Sequence, residues 1–393
     1  MMQEDFLSNY MRILITTDLY TTATNGVVTS VKNLFDELTG KGHDVRILTL
    51  SENSRSYKDG AVSYIRSMPL EVYPDVRMPL TYRHKLIKEL IYWRPDIIHS
   101  QCEIFSMQFA KKISRKTGAP IVHTYHTMYE EYIGYVLPGR RFGKWVVRCL
   151  TRSRLKKVSL VIVPTAKMEK VLTEYSLSKP IRIVPTGISL EQHKKRITEE
   201  YRHVMRVKLG ISDDRFVLIN LGRLGTEKNV DELLRLFAKA LKTNDKLMFL
   251  IVGDGPAKAQ LEKLAETLRI TDHVIFTGMV KPSVVHEYYK LGDVFVSAST
   301  SETQGLTYIE AAANGLPLLC RKDLCLKDVL LPGENGYEFT DEVEFLEGLN
   351  RLADDSDVRA AAGRRSAEIA EAFDKSSFAA TMEEIYRSVI ADR

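Results

Sequence analysis

The 393-residue chain holds only four cysteines, Cys102, Cys149, Cys320 and Cys325, with no paired-ligand spacing among them. That argues against a disulfide framework or a zinc site and points to a reducing, cytosolic setting. No apolar run approaches the roughly 20 residues needed to span a bilayer. The polar, acidic residues 1–10 have no apolar core of the kind a signal peptide carries, so they add nothing to the fold, and either Met1 or Met11 serves as a start. Low-complexity segments and short repeats are lacking, and no glycine run completes G-x-G-x-x-G, so nothing argues for a nicotinamide cofactor. What remains is the composition of a soluble globular protein, 44% hydrophobic and 27% charged, long enough for two or three domains.

Charge is unevenly spread. Residues 1–190 carry a net +11 and residues 191–393 a net −6, within an overall +5. One half is therefore expected to meet an anionic partner.

Short apolar runs alternate with helical segments in a pattern that appears twice. In the first half, strands are expected at 11–16, 45–50, 96–99, 120–124, 160–163 and 181–184. A helix runs from Gly26 to about residue 39, where Gly40 and Gly42 end it. In the second half, strands fall at 216–222, 247–252, 274–276 and 294–296, with a helix near 230–241. Both halves read as parallel α/β sheets with right-handed crossovers, facing a cleft at the carboxyl ends of their strands. The charged stretch 189–210 marks the boundary between domains 11–190 and 211–374. A closing helix, 375–393, is expected to return to the first domain.

One segment stands out, residues 301–310. Glu302 lies on a loop after a strand, Gly305 turns the chain, the amides of Gln304 to Thr307 open a helix, and Glu310 sits about one turn inside it. Free amides at the positive end of a helix dipole suit an anion, and the two carboxylates suit hydroxyl donors. A sugar nucleotide has both. Taken alone, two glutamates at this spacing are more often solvated helix charges.

Other strand ends add to the case. In Gly222-Arg223-Leu224-Gly225-Thr226-Glu227-Lys228-Asn229, Arg223 and Lys228 can neutralise a diphosphate leaving group. Gly26 lets a phosphate or sugar approach the backbone, or is a plain turn glycine. The loop Gly253-Asp254-Gly255-Pro256 receives a nucleoside, or is a helix entry with Asp254 as cap. His123 and His126 end a strand of the first half, where His126 can meet a transferred sugar hydroxyl or help position the acceptor, although a lone histidine is more often structural.

Arg140, Lys144, Arg148, Arg152 and Lys156 recur every four residues beside Phe142, Trp145, Val146, Cys149 and Leu150. That is a basic amphipathic helix, suited to anionic lipid headgroups or else packed on the core by its apolar side. Nucleic acid is not expected, because no aromatic platform or recognition motif accompanies the charge.

Together these residues resemble the retaining glycosyltransferases of family 4, over nearly the whole chain from Met11. The resemblance implies the GT-B fold, two Rossmann-like doubly wound domains facing a deep cleft. It further implies that Arg223 and Lys228 hold the nucleotide diphosphate and that Glu310 accepts from ribose hydroxyls. Glu302 contacts the donor sugar, Gly305, Leu306 and Thr307 offer amides, Gly26, Gly253 and Asp254 line the donor site, and His126 lies beside the transferred sugar. Within the family, residues 123–132 are similar to those of bacterial diacylglycerol glucosyltransferases that make α-monoglucosyldiacylglycerol. The implied reaction moves glucose from UDP-glucose to diacylglycerol, with no cofactor and no metal, by an enzyme lying peripherally on the cytoplasmic face of the membrane. Another nucleotide sugar or a soluble acceptor is the alternative. The family often has Phe-Gly where Gln304-Gly305 stands, which bears on sugar specificity more than on catalysis.

Overall fold

The computed structural model describes residues 10–20, 25–70, 77–128 and 140–393. The chain forms two units, residues 1–187 with 375–393, and residues 188–374.

In the first unit the strands are β1 (Arg12–Thr16), β2 (Asp44–Ser51), β3 (Tyr57–Asp59), β4 (Val62–Pro69), β5 (Arg77–Pro79), β6 (Ile97–Ser100), β7 (Ile121–Thr124), β8 (Leu160–Val163) and β9 (Ile181–Ile183). They lie in the order β3-β4-β2-β1-β6-β7-β8-β9, with β5 against β4. The helices are α1 (Gly26–Gly40), α2 (Lys85–Trp93), α3 (Ser106–Thr117), α4 (Arg140–Leu155) and α5 (Ala166–Glu174). Successive residues of β1 serve opposite cores. Ile13 and Ile15 pack with Val31, Leu34 and Leu38 of α1, whereas Leu14 packs with residues of α2, α3, α4 and α5. A strand buried on both faces must be apolar at every position, which is why β1 reads as a continuous run.

The expectation of a wholly parallel first sheet needs correction at one edge. β3 and β5 both run antiparallel to β4. The link from β3 to β4 is only Gly60 and Ala61, with Gly60 at φ +53°. So short a loop joins only antiparallel strands, since a parallel pair needs a crossover.

The second unit begins with α6 (Leu190–His193) and α7 (Glu199–Lys208), formed from the charged stretch that the sequence offered as a boundary. Arg206 is buried there because Asp293 Oδ2 and the carbonyls of Leu291 and Arg215 accept from its guanidinium at 3.2–3.3 Å. Six parallel strands follow: β10 (Phe216–Leu221), β11 (Leu247–Val252), β12 (Val274–Phe276), β13 (Val294–Ser297), β14 (Leu318–Arg321) and β15 (Gly336–Phe339). Their order, β12-β11-β10-β13-β14-β15, reverses direction between β10 and β13. Two neighbouring strand ends whose connections leave in opposite directions open a crevice, where ligands bind in such sheets. The helices α8 (Val230–Ala240), α9 (Lys258–Leu268), α10 (Val285–Tyr289), α11 (Leu306–Ala313), α12 (Glu342–Asp354) and α13 (Ser356–Ala370) cover its two faces.

The chain closes with α14 (Lys375–Ala391), which belongs to the first unit. Its Phe378, Met382, Ile385 and Tyr386 pack in the same core as Val31, Leu34 and Leu38 of α1.

Candidate active site

In the second unit, the candidate side chains gather where the sheet order reverses. Gly222 follows β10, and Gly253, at φ +136°, follows β11. A Cβ on Gly253 would stand 1.9 Å from the carbonyl oxygen of Gly222, so the two loops pass backbone against backbone and only glycine fits. The carboxylate of Asp254 accepts from the Gly255 amide at 2.7 Å. It caps no helix, because the residue flanking α9 is Ala257, which supplies no side-chain cap.

The loops after β10 and β13 are stitched together. Asn229, in the left-handed region at φ 52°, donates from Nδ2 to the Ala298 carbonyl at 3.1 Å. The Ser301 hydroxyl donates to the Glu227 carbonyl at 3.2 Å. This stitching brings Lys228 Nζ to 2.5 Å from Glu302 Oε1, both side chains mostly buried. Arg223, more exposed, pairs with Glu227. The sequence reading did not single out Glu227; its only signal is the four-residue spacing from Arg223.

Gly305, at φ +75°, turns the chain into α11. A Cβ there would lie 2.3 Å from the Tyr308 ring. The ring is itself fixed, with its hydroxyl 3.0 Å from Ser297 Oγ. The first-turn amides of α11, from Leu306 and Thr307, have no carbonyl partner within the helix and stand at its positive end.

One turn on, Glu310 Oε2 accepts from the Tyr289 hydroxyl at 2.9 Å. Burial pushes the Glu310 carboxyl up to about 7, against a smaller downward pull from that hydrogen bond. Behind it, Asn314 Nδ2 donates to His193 Nδ1 at 2.9 Å, and burial lowers His193 to about 4. Tyr289 was not foreseen, because a tyrosine in an amphipathic helix looks like any core aromatic.

In the first unit, Gly26 is the first residue of α1, whose N-cap Asn25 accepts from the Val28 amide at 2.9 Å. His126 lies just past β7, half-buried, with Nε2 2.6 Å from Gln101 Oε1. Burial lowers its imidazole to about 4; Glu103 opposes this and His123 adds to it. His123 Nε2 sits 3.1 Å from Glu103 Oε1. Just past β1, Asp18 accepts from the Ser106 amide at 2.6 Å and the Phe105 amide at 3.3 Å, while burial raises it to about 6.

The basic helix is α4. Its core face is Gly143, Val147, Thr151 and Leu155. Phe142 and Trp145, stacked with ring centroids 6.0 Å apart, are 56% and 60% exposed, and Leu150 and Cys149 are exposed as well. The aromatics therefore do not pack on the core. Lys144 and Arg152 are exposed beside them, Arg148 donates to Ser176 Oγ at 3.0 Å, and the side chain of Arg140 lies outside the described residues. Residues 129–132 of the histidine segment also lie outside them. No helix among the described residues is long and apolar enough to cross a membrane.

Chemically, the second unit offers helix-end amides and two cations to an anion, and carboxylates to hydroxyls. Among the described residues, no three His, Cys, Asp or Glu side chains gather as a metal-ligand set.

Two family models match the chain, Glycosyltransferase Family 4 over residues 24–192 and Glycosyl transferases group 1 over residues 202–368. Among curated relatives, an alpha-monoglucosyldiacylglycerol synthase from Streptococcus pneumoniae is 38% identical over 322 residues, 81% of this chain and 73% of that protein. A protein of the same name from Acholeplasma laidlawii is 29% identical over 389 residues, covering 97% of this chain and 98% of the other. Among solved structures, a sucrose-phosphate synthase from Thermosynechococcus elongatus superposes with a TM-score of 0.76 at 20% identity, covering 98% and 100% of the two chains. HepE from Anabaena, in complex with UDP and glucose, superposes with a TM-score of 0.74 at 17% identity, covering 96% and 100%.

Proposed function

The chain belongs to glycosyltransferase family 4 and has its GT-B fold, and from that premise we propose that it moves glucose from UDP-glucose to diacylglycerol with retention, yielding α-monoglucosyldiacylglycerol. The observation that carries the chemistry is the gathering of Lys228, Glu302, Glu310 and the α11 amides at the reversal of the second sheet. The identity of the acceptor is supported by the likeness to the two synthases.

In this reading the diphosphate sits on the amides of Leu306 and Thr307, with Arg223 and Lys228 beside it. Glu310 accepts from the ribose hydroxyls, Glu302 holds the donor sugar, and Gly26, Gly253 and Asp254 let the nucleotide approach the backbone. His126 meets a hydroxyl of the transferred glucose. The bond from C1 to the phosphate oxygen breaks toward an oxocarbenium-like state, and the diphosphate leaves with the electron pair. The acceptor hydroxyl attacks C1 from the same face, and its proton passes to the departing phosphate oxygen. Two cationic side chains and a helix end supply charge neutralisation of the kind a divalent ion would give, so no metal is invoked.

The exposed Phe142 and Trp145 with Lys144, Arg148, Arg152 and Arg140 suit an anionic lipid surface, where aromatic rings sit at headgroup level. The enzyme would then act peripherally, on the cytoplasmic face where UDP-sugars are available.

The test is turnover of UDP-glucose with diacylglycerol in vesicles of graded anionic lipid, with and without a chelator. The expected result is an α-glucosyl lipid whose yield rises with anionic content and is unchanged by chelation. Slow donor hydrolysis without lipid product would overturn the acceptor assignment and turn attention to soluble acceptors and other sugars.

A further inference from the structure

The imidazole of His126 is held by a buried chain of polar side chains that reaches the last helix of the protein. His99, on β6, is fully buried. Its Nδ1 lies 2.6 Å from the Tyr386 hydroxyl on α14, and its Nε2 lies 2.7 Å from Thr124 Oγ1 at the end of β7. Both in-plane positions of the ring are thus taken. Gln101 Nε2 is 3.2 Å from each of the two ring nitrogens. In the ring plane, a point so placed would collide with the carbon between the nitrogens, so the amide nitrogen must lie over the ring face. An N–H over an electron-rich face is a donor contact. This directs the Gln101 oxygen away from His99, toward His126 Nε2 at 2.6 Å.

An amide oxygen only accepts, so His126 Nε2 must carry the hydrogen and Nδ1 must carry the lone pair. We propose that Gln101, oriented by His99 and Tyr386, is a positioning residue that fixes His126 as the Nε2–H tautomer, so that it presents Nδ1 as a hydrogen-bond acceptor to a hydroxyl of the transferred sugar. The inference rests on the reading of His126 as the residue that meets that sugar. It goes beyond that reading by assigning the tautomer and the residues that set it. Burial, which keeps His126 neutral at ordinary pH, is consistent with a ring that accepts rather than donates at Nδ1. It also explains why polar residues occupy the otherwise apolar ends of β6 and β7: the strands place Gln101 and His126 side by side, and α14 closes the far end of the chain.

The experiment is long-range proton–nitrogen NMR on histidine-labelled full-length protein, with the His126 signals assigned by their loss in His126→Asn, together with steady-state turnover. The wild type should show His126 as the Nε2–H tautomer. Gln101→Leu, which removes the acceptor, should shift the tautomer balance and lower kcat roughly 10- to 100-fold, with donor KM changed less than about 3-fold and Tm preserved. Gln101→Glu, whose carboxylate accepts at that position, should keep Nε2–H and restore much of kcat only at alkaline pH, because the added charge favours the imidazolium, which cannot accept at Nδ1. Tyr386→Phe removes one hydroxyl from the far end and should shift the balance in the same direction by a smaller amount, so the inference stays testable if Gln101→Leu fails to fold. An unchanged His126 tautomer in both variants overturns the inference. The NMR needs no substrate: a shifted tautomer with full turnover would sustain the positioning chain and overturn the role given to His126.

Discussion

Replacing Glu310 by glutamine separates what the fold tolerates from what the site requires. Burial holds the Glu310 carboxyl near 7 against an ordinary 4.5. The folded chain therefore keeps a proton that the unfolded chain releases near 4.5. The stability this represents is complete below about 4.5 and is lost as the pH rises through about 7. At about 1.4 kcal/mol per pH unit, the gap sets an upper limit of about 3 kcal/mol, and solvent at the partly exposed carboxylate reduces this to about 2. Glutamine has the same shape, can still accept from the Tyr289 hydroxyl through its amide oxygen, and carries no charge. At pH 8, Glu310→Gln should therefore be the more stable protein. For a unit of this size, about 2 kcal/mol corresponds to roughly 4–8 °C in Tm. At pH 4 the difference should nearly vanish. UDP binding should move the other way, because a charged acceptor for the ribose hydroxyls is lost at about 1.5–3 kcal/mol, or roughly 10- to 150-fold in Kd. Differential scanning fluorimetry at the two pH values and calorimetric titration with UDP read both arms. A Gln variant that melts lower than wild type at pH 8, or by the same margin at both pH values, would refute the claim that ionised Glu310 is held against its solvation.

Lys228→Ala and Glu302→Ala should each reduce turnover by about 10²–10³-fold in the vesicle assay while the protein still folds; substantial residual activity in either would remove that pair from the site. Gly305→Ala places a side chain at φ +75° with its Cβ against the Tyr308 ring. It should cost about 1–2 kcal/mol or more and weaken UDP binding, as measured by Tm and titration. Trp145→Ala removes an exposed ring, so Tm should hold while vesicle affinity falls about 5- to 30-fold; a lowered Tm with unchanged co-sedimentation would place Trp145 in the fold instead.

The sequence by itself determined the two doubly wound sheets, because parallel strands buried on both faces must be apolar throughout and so announce themselves as runs. It also located the loops that carry Arg223, Lys228 and Glu302 and the helix that carries Glu310, since glycines such as Gly222, Gly253 and Gly305 mark chain reversals at strand ends. Strands β3, β4, β5, β14 and β15 escaped notice: β3 and β5 are short and partly exposed, β4 and β15 mix polar with apolar positions, and β14 follows directly on the Ala-rich helix that ends before Pro317. Tertiary structure alone decided which polar side chains meet. Lys228 is 74 positions from Glu302, and His99 is 287 from Tyr386, and no local pattern encodes contacts at that range. It also decided which face of the helix Arg140–Leu155 is buried: Val147, Thr151 and Leu155 take the core, leaving Phe142 and Trp145 outside. Helical periodicity says that a helix has faces, but only the neighbouring sheet and helices select the one that leaves water.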